Sequence, residues 1–237
     1  MSIIDIFYGL LFLTVGIALA LVFQVSHPVY YVALFLVSIW SLRLSMRIAG
    51  KNLNKGEDRR YATWRKEWLE KGRNYFLVRS FLQVFLLQGL VVGAVSLPLL
   101  VLAAEAHITY PVVLVVGVAI WTLGILFEAV ADWQLDHFIK QPENKGKIMD
   151  QGLFRYSRRP NYFGESLIWW GMATIAASAI PLVYAPVAFL SPVLITYIVY
   201  AVTGPLTEAQ WQGNELYEAY KQRTSYFLPL PPKQETS

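Results

Sequence analysis

The stretch PVVLVVGVAIWTLGILFEAVA, residues 111–131, decides the fold class of this chain. A helix of this length and apolarity crosses the hydrocarbon of a bilayer, which takes about 20 residues. Further apolar stretches predict five more helices, at 3–24, 28–48, 80–103, 165–180 and 183–203. We therefore expect an all-α, multi-pass membrane bundle of about six transmembrane helices.

Composition supports the membrane class. Of the 237 residues, 56% are hydrophobic and only 15% are charged, whereas a soluble domain carries about a quarter charged residues. The absence of cysteine excludes disulfides, thiolate metal sites and cysteine nucleophiles. Three scattered histidines predict no metal site, and no repeat or long linker divides the chain. We expect a single membrane domain over residues 1–237.

The positive charges predict the orientation. All 20 Lys and Arg residues lie in three regions, at 43–79, 140–159 and 221–233. With six spans these regions and both termini fall on one side, which the positive-inside rule makes cytoplasmic. The predicted cytoplasmic parts are loops at 50–79 and 132–164 and a C-terminal segment at 204–237. In a bacterium the protein would lie in the cytoplasmic membrane, and nothing in the sequence indicates a nucleic-acid partner.

Two carboxylates lie at the end of the span that ends near residue 131. Glu128 and Asp132 are four residues apart and so share one helical face. Carboxylates in or near an apolar span are costly and are therefore candidates for function. The alternative is that Glu128 hydrogen-bonds another helix, or that Asp132 has already reached water.

The segment RYSRRPNYFGE, residues 155–165, precedes the fifth predicted helix. Pro160 breaks the chain before the helix, and Asn161 can cap the helix N-terminus. Arginines and helix N–H groups at one membrane edge suit phosphate. The alternative is a juxtamembrane stretch that touches anionic lipid, but that explains neither Asn161 nor the carboxylate of Glu165.

Two further polar segments flank the spans. The pattern of residues 215–229, ELYEAYKQRTSYFLP, taken alone predicts an interfacial amphipathic helix with aromatic anchors. The pattern of residues 55–68, KGEDRRYATWRKEW, predicts a solvated amphipathic helix. Its Trp64 and Trp68 would lie at the membrane interface.

Several sequence segments of this chain resemble the steroid 5-alpha-reductase-like membrane family. They are most similar to its bacterial branch, much of which is known only as a domain of unknown function. The segments are FEAVADWQ at 127–134, NKGKIMDQGLFRYSRRPNYFGE at 144–165 and YKQRTSYFLP at 220–229. In that branch a histidine usually precedes Pro-Asn-Tyr, whereas this chain has Arg159. A permanent charge thus stands where a titratable ring is usual.

The resemblance implies a multi-pass helical fold with NADPH bound on the cytoplasmic side. No G-x-G-x-x-G follows a predicted strand, so the nucleotide would not lie on a Rossmann domain. By motif position, the resemblance implies that Asn161 and Glu165 meet the nicotinamide half, with Tyr162 in the same motif. It further assigns ribose, adenine or phosphate to Glu128, Asp132 and Lys140. The adenosine end is assigned to Tyr220 and Arg223. The pyrophosphate or 2′-phosphate is assigned to Arg155, Arg158 and Arg159.

The implied reaction is reduction of a C=C bond conjugated to a carbonyl in a lipophilic substrate that enters from the membrane lipid. A hydrogen-bond donor must stabilise the developing enolate, and the α-carbon must receive a proton. The catalytic candidates in the N-terminal half are Glu57, Tyr61 and Gln88. A helix–helix hydrogen bond explains Gln88 equally well.

Two alternatives remain open at this point. The membrane isoprenylcysteine and phospholipid methyltransferases have a similar Arg-His-Pro-x-Tyr-x-Gly word and bind S-adenosylmethionine there. A non-catalytic lipid-binding membrane protein with a decayed nucleotide site would also carry these residues. The asparagine before Tyr162, the long match over 127–154 and the arginines favour the reductase.

Overall fold

The computed structural model describes residues 2–52, 59–107 and 110–233. Helices dominate these ranges, and no β-strand occurs in them, so the predicted all-α class is confirmed. The α-helices are α1 Ser2–Val22, α2 Pro28–Asn52, α3 Arg59–Glu70, α4 Arg73–Ser80, α5 Leu87–Val95, α6 Leu97–Glu105, α7 Pro111–Lys140, α8 Pro160–Ala177, α9 Ala185–Tyr197, α10 Gly204–Ala209 and α11 Glu215–Arg223. Two π-helical turns, Phe81–Leu86 and Ile198–Thr203, join α4 to α5 and α9 to α10.

Four helical stretches in the described ranges are long and apolar enough to cross a membrane. They are Pro28–Lys51, Arg73–Val95, Pro111–Lys140 and Leu182–Ala209. A shorter apolar helix covers Phe7–Val22. The integral-membrane class of the fold agrees with the sequence, whereas six spans and cytoplasmic termini stay predictions.

Two of the predicted helices differ most from the boundaries that hydropathy predicts. The predicted span 80–103 is instead a helix over Arg73–Val95 followed by the separate α6. The break falls at Ser96 because Pro98 cannot donate the backbone hydrogen bond that would continue the helix. The helix predicted to end at 131 continues to Lys140 and stops before Pro142, which disfavours helical geometry at Gln141.

The chain forms two compact units, of which the first comprises Met1–Thr109 and Ala176–Ala188. Its core includes aromatic contacts. Phe12 and Trp40 pack edge to face with centroids 5.2 Å apart, and the buried Tyr30 hydroxyl donates to the Gly16 carbonyl at 2.6 Å. A separate cluster joins α3 to the helix that follows it, with Trp68 and Val84 buried. Trp68 is thus covered by α4, whereas its position at the membrane interface stays a prediction.

The second unit comprises Tyr110–Ile175 and Phe189–Ser237, and α7 and α8 pack in it at unusually close range. A Cβ added to Gly124 would lie 2.7 Å from the Ile168 nitrogen, and one added to Gly164 would lie 2.5 Å from the Glu128 nitrogen. Only glycine allows two helix backbones to approach so closely. This packing brings the part of α7 that carries Glu128 and Asp132 against the first turns of α8.

Candidate functional site

The segment between α7 and α8 is held in place by hydrogen bonds from three other parts of the second unit. The Gln134 side chain of α7 accepts from the Leu153 nitrogen at 2.9 Å. The Tyr220 hydroxyl of α11 donates to the Phe154 carbonyl at 2.5 Å, and the Arg158 nitrogen donates to the Ser225 carbonyl at 2.8 Å. The loop that carries the arginines is thus a fixed scaffold built from residues far apart in sequence.

Buried polar residues meet where α7 passes the start of α8. Glu128 and Asp132 are both buried, and the Asn161 amide nitrogen lies 3.5 Å from an Asp132 carboxylate oxygen. The alternative that Asp132 has reached water is therefore wrong, since only 4% of it is exposed. Glu128 lies beside Gly164, one residue before the half-buried Glu165.

The predicted capping role of Asn161 is also wrong. Helix α8 begins at Pro160, so Asn161 lies inside its first turn. Proline is well suited to the first helical position because its missing N–H has no helical partner there. The Asn161 amide is therefore available to the carboxylate of Asp132 across the helix pair.

Arg158 and Arg159 have different surroundings. Arg158 forms an ion pair with Glu208 at 3.1 Å and lies over the Tyr226 ring at 5.1 Å. Arg159 lies over the Tyr162 ring at 5.7 Å, and its buried Nε atom has no hydrogen-bond partner among the residues that the structure describes. The Nε atom of Arg158 is likewise buried without a hydrogen-bond partner among the described residues. The two guanidiniums therefore differ in the carboxylate that pairs with Arg158, and each keeps an unused Nε donor.

Arg155 and Arg223 line an open cleft of about 420 Å³. Arg223 forms an ion pair with Asp150 at the cleft wall. The predicted assignment of Tyr220 to the adenosine end has no support in the geometry, because Tyr220 is buried and its hydroxyl is used by the Phe154 carbonyl. Lys140 is exposed at the end of α7.

Two tyrosines of α11 lie close to the arginines. Burial raises the pKa of Tyr217 to about 12, although Arg159 nearby opposes the rise. Burial also raises the pKa of Tyr220 well above its usual range. Both hydroxyls therefore stay protonated near neutral pH and act as hydrogen-bond donors, so they add no negative charge that would compete for the arginines.

Sequence reasoning missed three residues of this site. Glu208 pairs with Arg158, Asp150 pairs with Arg223, and Gln134 holds the loop at Leu153. Asp150 and Gln134 both belong to the words that carry the family resemblance, which was the available signal. Glu208 lies at the end of the last apolar stretch, where a carboxylate is as costly as at Glu128.

The catalytic candidates belong to the sequence range of the first unit and stay predictions. Glu57 lies outside the described residues, and so does the side chain of Tyr61, whose backbone is part of α3. Gln88 is half-buried on α5. The cofactor-binding candidates all belong to the second unit.

Comparisons with known proteins agree with the resemblance in the sequence. A family model described as "Protein of unknown function (DUF1295)" matches residues 1–224. The 3-oxo-5-alpha-steroid 4-dehydrogenase 1 of Rattus norvegicus is 30% identical over 131 residues, which are 54% of this chain and 45% of the rat protein.

Two further relatives have the same name. The protein of Mus musculus is 37% identical over 82 residues, which are 35% of this chain and 32% of the mouse protein. That of Bos taurus is 40% identical over 57 residues, which are 24% and 22% of the two chains. The matched regions thus cover less than half of each of these relatives, and no solved structure matches. The chain belongs to the DUF1295 family and is steroid 5-alpha-reductase-like, as its motifs predict.

Proposed function

We propose that this protein is a membrane reductase that uses NADPH to reduce a C=C bond conjugated to a carbonyl in a lipophilic, steroid- or isoprenoid-like substrate. The observation that carries the proposal is the arginine loop, where the buried Nε of Arg159 lacks a hydrogen-bond partner among the described residues. An unused guanidinium donor at a fixed loop is what a phosphate ligand requires. The steroid in the names of the relatives supports the substrate class.

The donor set fits a nucleotide with several phosphates. Arg155 and Arg223 line the open cleft, and Arg159 lies on the same loop as Arg155. Guanidiniums bind phosphate with paired, charge-assisted hydrogen bonds. S-adenosylmethionine has no phosphate and would leave Arg155 and Arg159 without a phosphate to bind, whereas Arg223 already pairs with Asp150. The site therefore favours a dinucleotide.

The polar residues between α7 and α8 suit the other half of such a nucleotide. Asn161 offers an amide beside the buried Asp132, and Glu165 follows one helical turn later. An amide can donate hydrogen bonds to a carboxamide and accept them from it, and a carboxylate can accept them from a carboxamide or from ribose hydroxyls. We infer that Asn161 and Glu165 orient the nicotinamide and that Glu128 and Asp132 hold them in position.

In the proposed reaction, NADPH held by Arg155, Arg159, Asn161 and Glu165 would supply the hydride that the β-carbon of the conjugated system requires. The residues of the chain then stabilise charge on the carbonyl oxygen and deliver a proton to the α-carbon. Tyr61, Glu57 and Gln88 are the proposed donors and proton source. A substrate that is itself lipophilic would reach them from the bilayer rather than from water.

The test is ligand-induced stabilisation of the purified full chain in detergent, with NADPH, NADH and S-adenosylmethionine as ligands. A ligand at 100 times its dissociation constant stabilises the folded state by about 2.7 kcal/mol. We expect a shift with NADPH and none with S-adenosylmethionine, followed by loss of NADPH absorbance when an enone steroid is added. Stabilisation by S-adenosylmethionine alone, or by none of the three, would overturn the proposal.

A further inference from the structure

A second cleft adjoins the first in the same unit. It measures about 250 Å³, and Gln151 and Gly152 line both clefts. The two clefts are therefore neighbours with a common wall, and we refer to them together as the groove. The groove as a whole falls within the range of about 300–1,000 Å³ typical of small-molecule sites, whereas the second cleft alone is too small.

The two ends of this groove differ in chemistry. The first cleft is ionic, with Asp150, Arg155 and Arg223. The second contains the rings of Trp133 and His137, which are stacked with centroids 5.7 Å apart and planes 18° apart. A ligand that spans the groove must carry anionic groups at one end and a flat apolar ring at the other.

Polar edges surround the aromatic pair. The side-chain amide of Gln141 lies 3.1 Å from the His137 ring nitrogen, and the amides of Gln134 and Gln151 also line this cleft. Amides can donate to and accept from the edge of a heterocyclic base. Trp133 is 66% exposed, so a face of its indole is open to a ligand.

Gly152 forms part of the wall that the two clefts share. Its φ of +57° is a conformation that other residues rarely adopt, and a Cβ there would lie 2.5 Å from the Gln134 side chain. A side chain at this position would displace Gln134, which holds the loop at Leu153.

From these observations we infer that the adenine base of the dinucleotide stacks on Trp133 and His137, while the adenosine-side phosphates lie at Arg155 and Arg223. This inference rests on the proposed function, and it makes Trp133 a binding residue for the base. Stacking of a base on an aromatic side chain is sequence-tolerant and needs only an open ring face. The membrane-interface role of tryptophan, which requires no ligand, is the competing account.

The experiment measures equilibrium binding of NADPH and of adenosine 2′,5′-diphosphate to the full chain and to three variants. Trp133→Ala removes the ring, Trp133→Phe keeps a stacking face, and Ile139→Ala is the matched control. Ile139 is also 66% exposed on the last turns of α7 and does not line either cleft.

We expect Trp133→Ala to weaken both ligands by about 5- to 150-fold, since alanine substitution of one stacking ring has effects of that size. Trp133→Phe should recover most of the loss, and Ile139→Ala should bind as the wild type does. Wild-type affinity for both ligands in Trp133→Ala, or an equal loss in Ile139→Ala, would overturn the inference while leaving the proposed function intact. A wild-type protein that binds no NADPH would overturn the proposed function itself.

Discussion

Arg158 and Glu208 are 50 residues apart in sequence and form an ion pair at 3.1 Å, with only 10% and 16% of their side chains exposed. The pair joins the loop before α8 to α10. Arg158 is further covered by the Tyr226 ring at 5.1 Å. A charge so enclosed is stable only while its partner is present, which makes this pair a structural element of the candidate site.

Removal of the carboxylate of Glu208 should therefore destabilise the fold. We expect Glu208→Gln to lower the free energy of unfolding by about 3 kcal/mol, because it leaves the buried guanidinium uncompensated. The measurement is reversible unfolding in mixed micelles. The control is Glu218→Gln, which breaks the exposed pair between Glu218 and Lys221 and should change stability by less than about 1 kcal/mol. Equal effects of the two substitutions would contradict a buried role for Glu208.

The close packing of α7 and α8 predicts that Gly164→Ala is destabilising. The new Cβ would lie 2.5 Å from the Glu128 nitrogen and 2.7 Å from the Gly124 carbonyl oxygen, both of which are backbone atoms. Overpacking of this kind costs about 1–3 kcal/mol. Thermal unfolding of the purified protein measures it.

The matched control for that substitution is Gly93→Ala in α5. No atom lies within 4 Å of a Cβ placed there, and alanine is the better helix former by about 1 kcal/mol. We expect Gly93→Ala to be neutral or stabilising. A loss of stability as large as that of Gly164→Ala would show that any helical glycine in this protein resists substitution, and the packing account would fail.

Substitution of Asn161 should affect ligand binding more than folding. In Asn161→Ala the amide beside Asp132 is lost, and we expect NADPH affinity to fall by at least about tenfold, the effect of about 1.4 kcal/mol. Titration with NADPH measures this. The control is Asn144→Ala, which removes an amide bonded to the Phe138 carbonyl and should leave the affinity unchanged. Unaltered affinity in Asn161→Ala would remove Asn161 from the site.

Alkaline pH should weaken the fold through Tyr217. Burial raises the pKa of Tyr217 from 10.0 to about 12, so the folded state keeps its proton where the unfolded state loses it. The stabilisation is complete below pH 10 and is lost as the pH rises toward about 12. We expect the decline in stability over this window to be shallower in Tyr217→Phe than in the wild type.

The exposed Tyr156 provides the comparison for the alkaline measurement. Tyr156→Phe should decline with pH as steeply as the wild type, since this side chain is not enclosed by the fold. Identical curves for Tyr217→Phe and the wild type would mean that Tyr217 ionises as freely in the folded as in the unfolded protein.

The sequence by itself determined the all-α membrane class and the family. Long apolar stretches must form helices in a bilayer, because each backbone polar group there needs an internal partner. Glu128 and Asp132 are four residues apart, and helix periodicity alone places them on one face of α7. Both are buried. The motif words over 127–165 identified the family without any knowledge of contacts.

Only the tertiary structure decided how the site residues are paired. The partners Arg158 and Glu208, or Asp150 and Arg223, are separated by 50 and 73 residues, and no local pattern indicates which carboxylate neutralises which arginine. The roles of Asn161 and Tyr220 likewise depend on what packs against them, an Asp132 carboxylate and a Phe154 carbonyl. Helix formation depends on neighbouring residues and the surrounding solvent, whereas ion pairs and clefts depend on distances that exist only once the helices have packed.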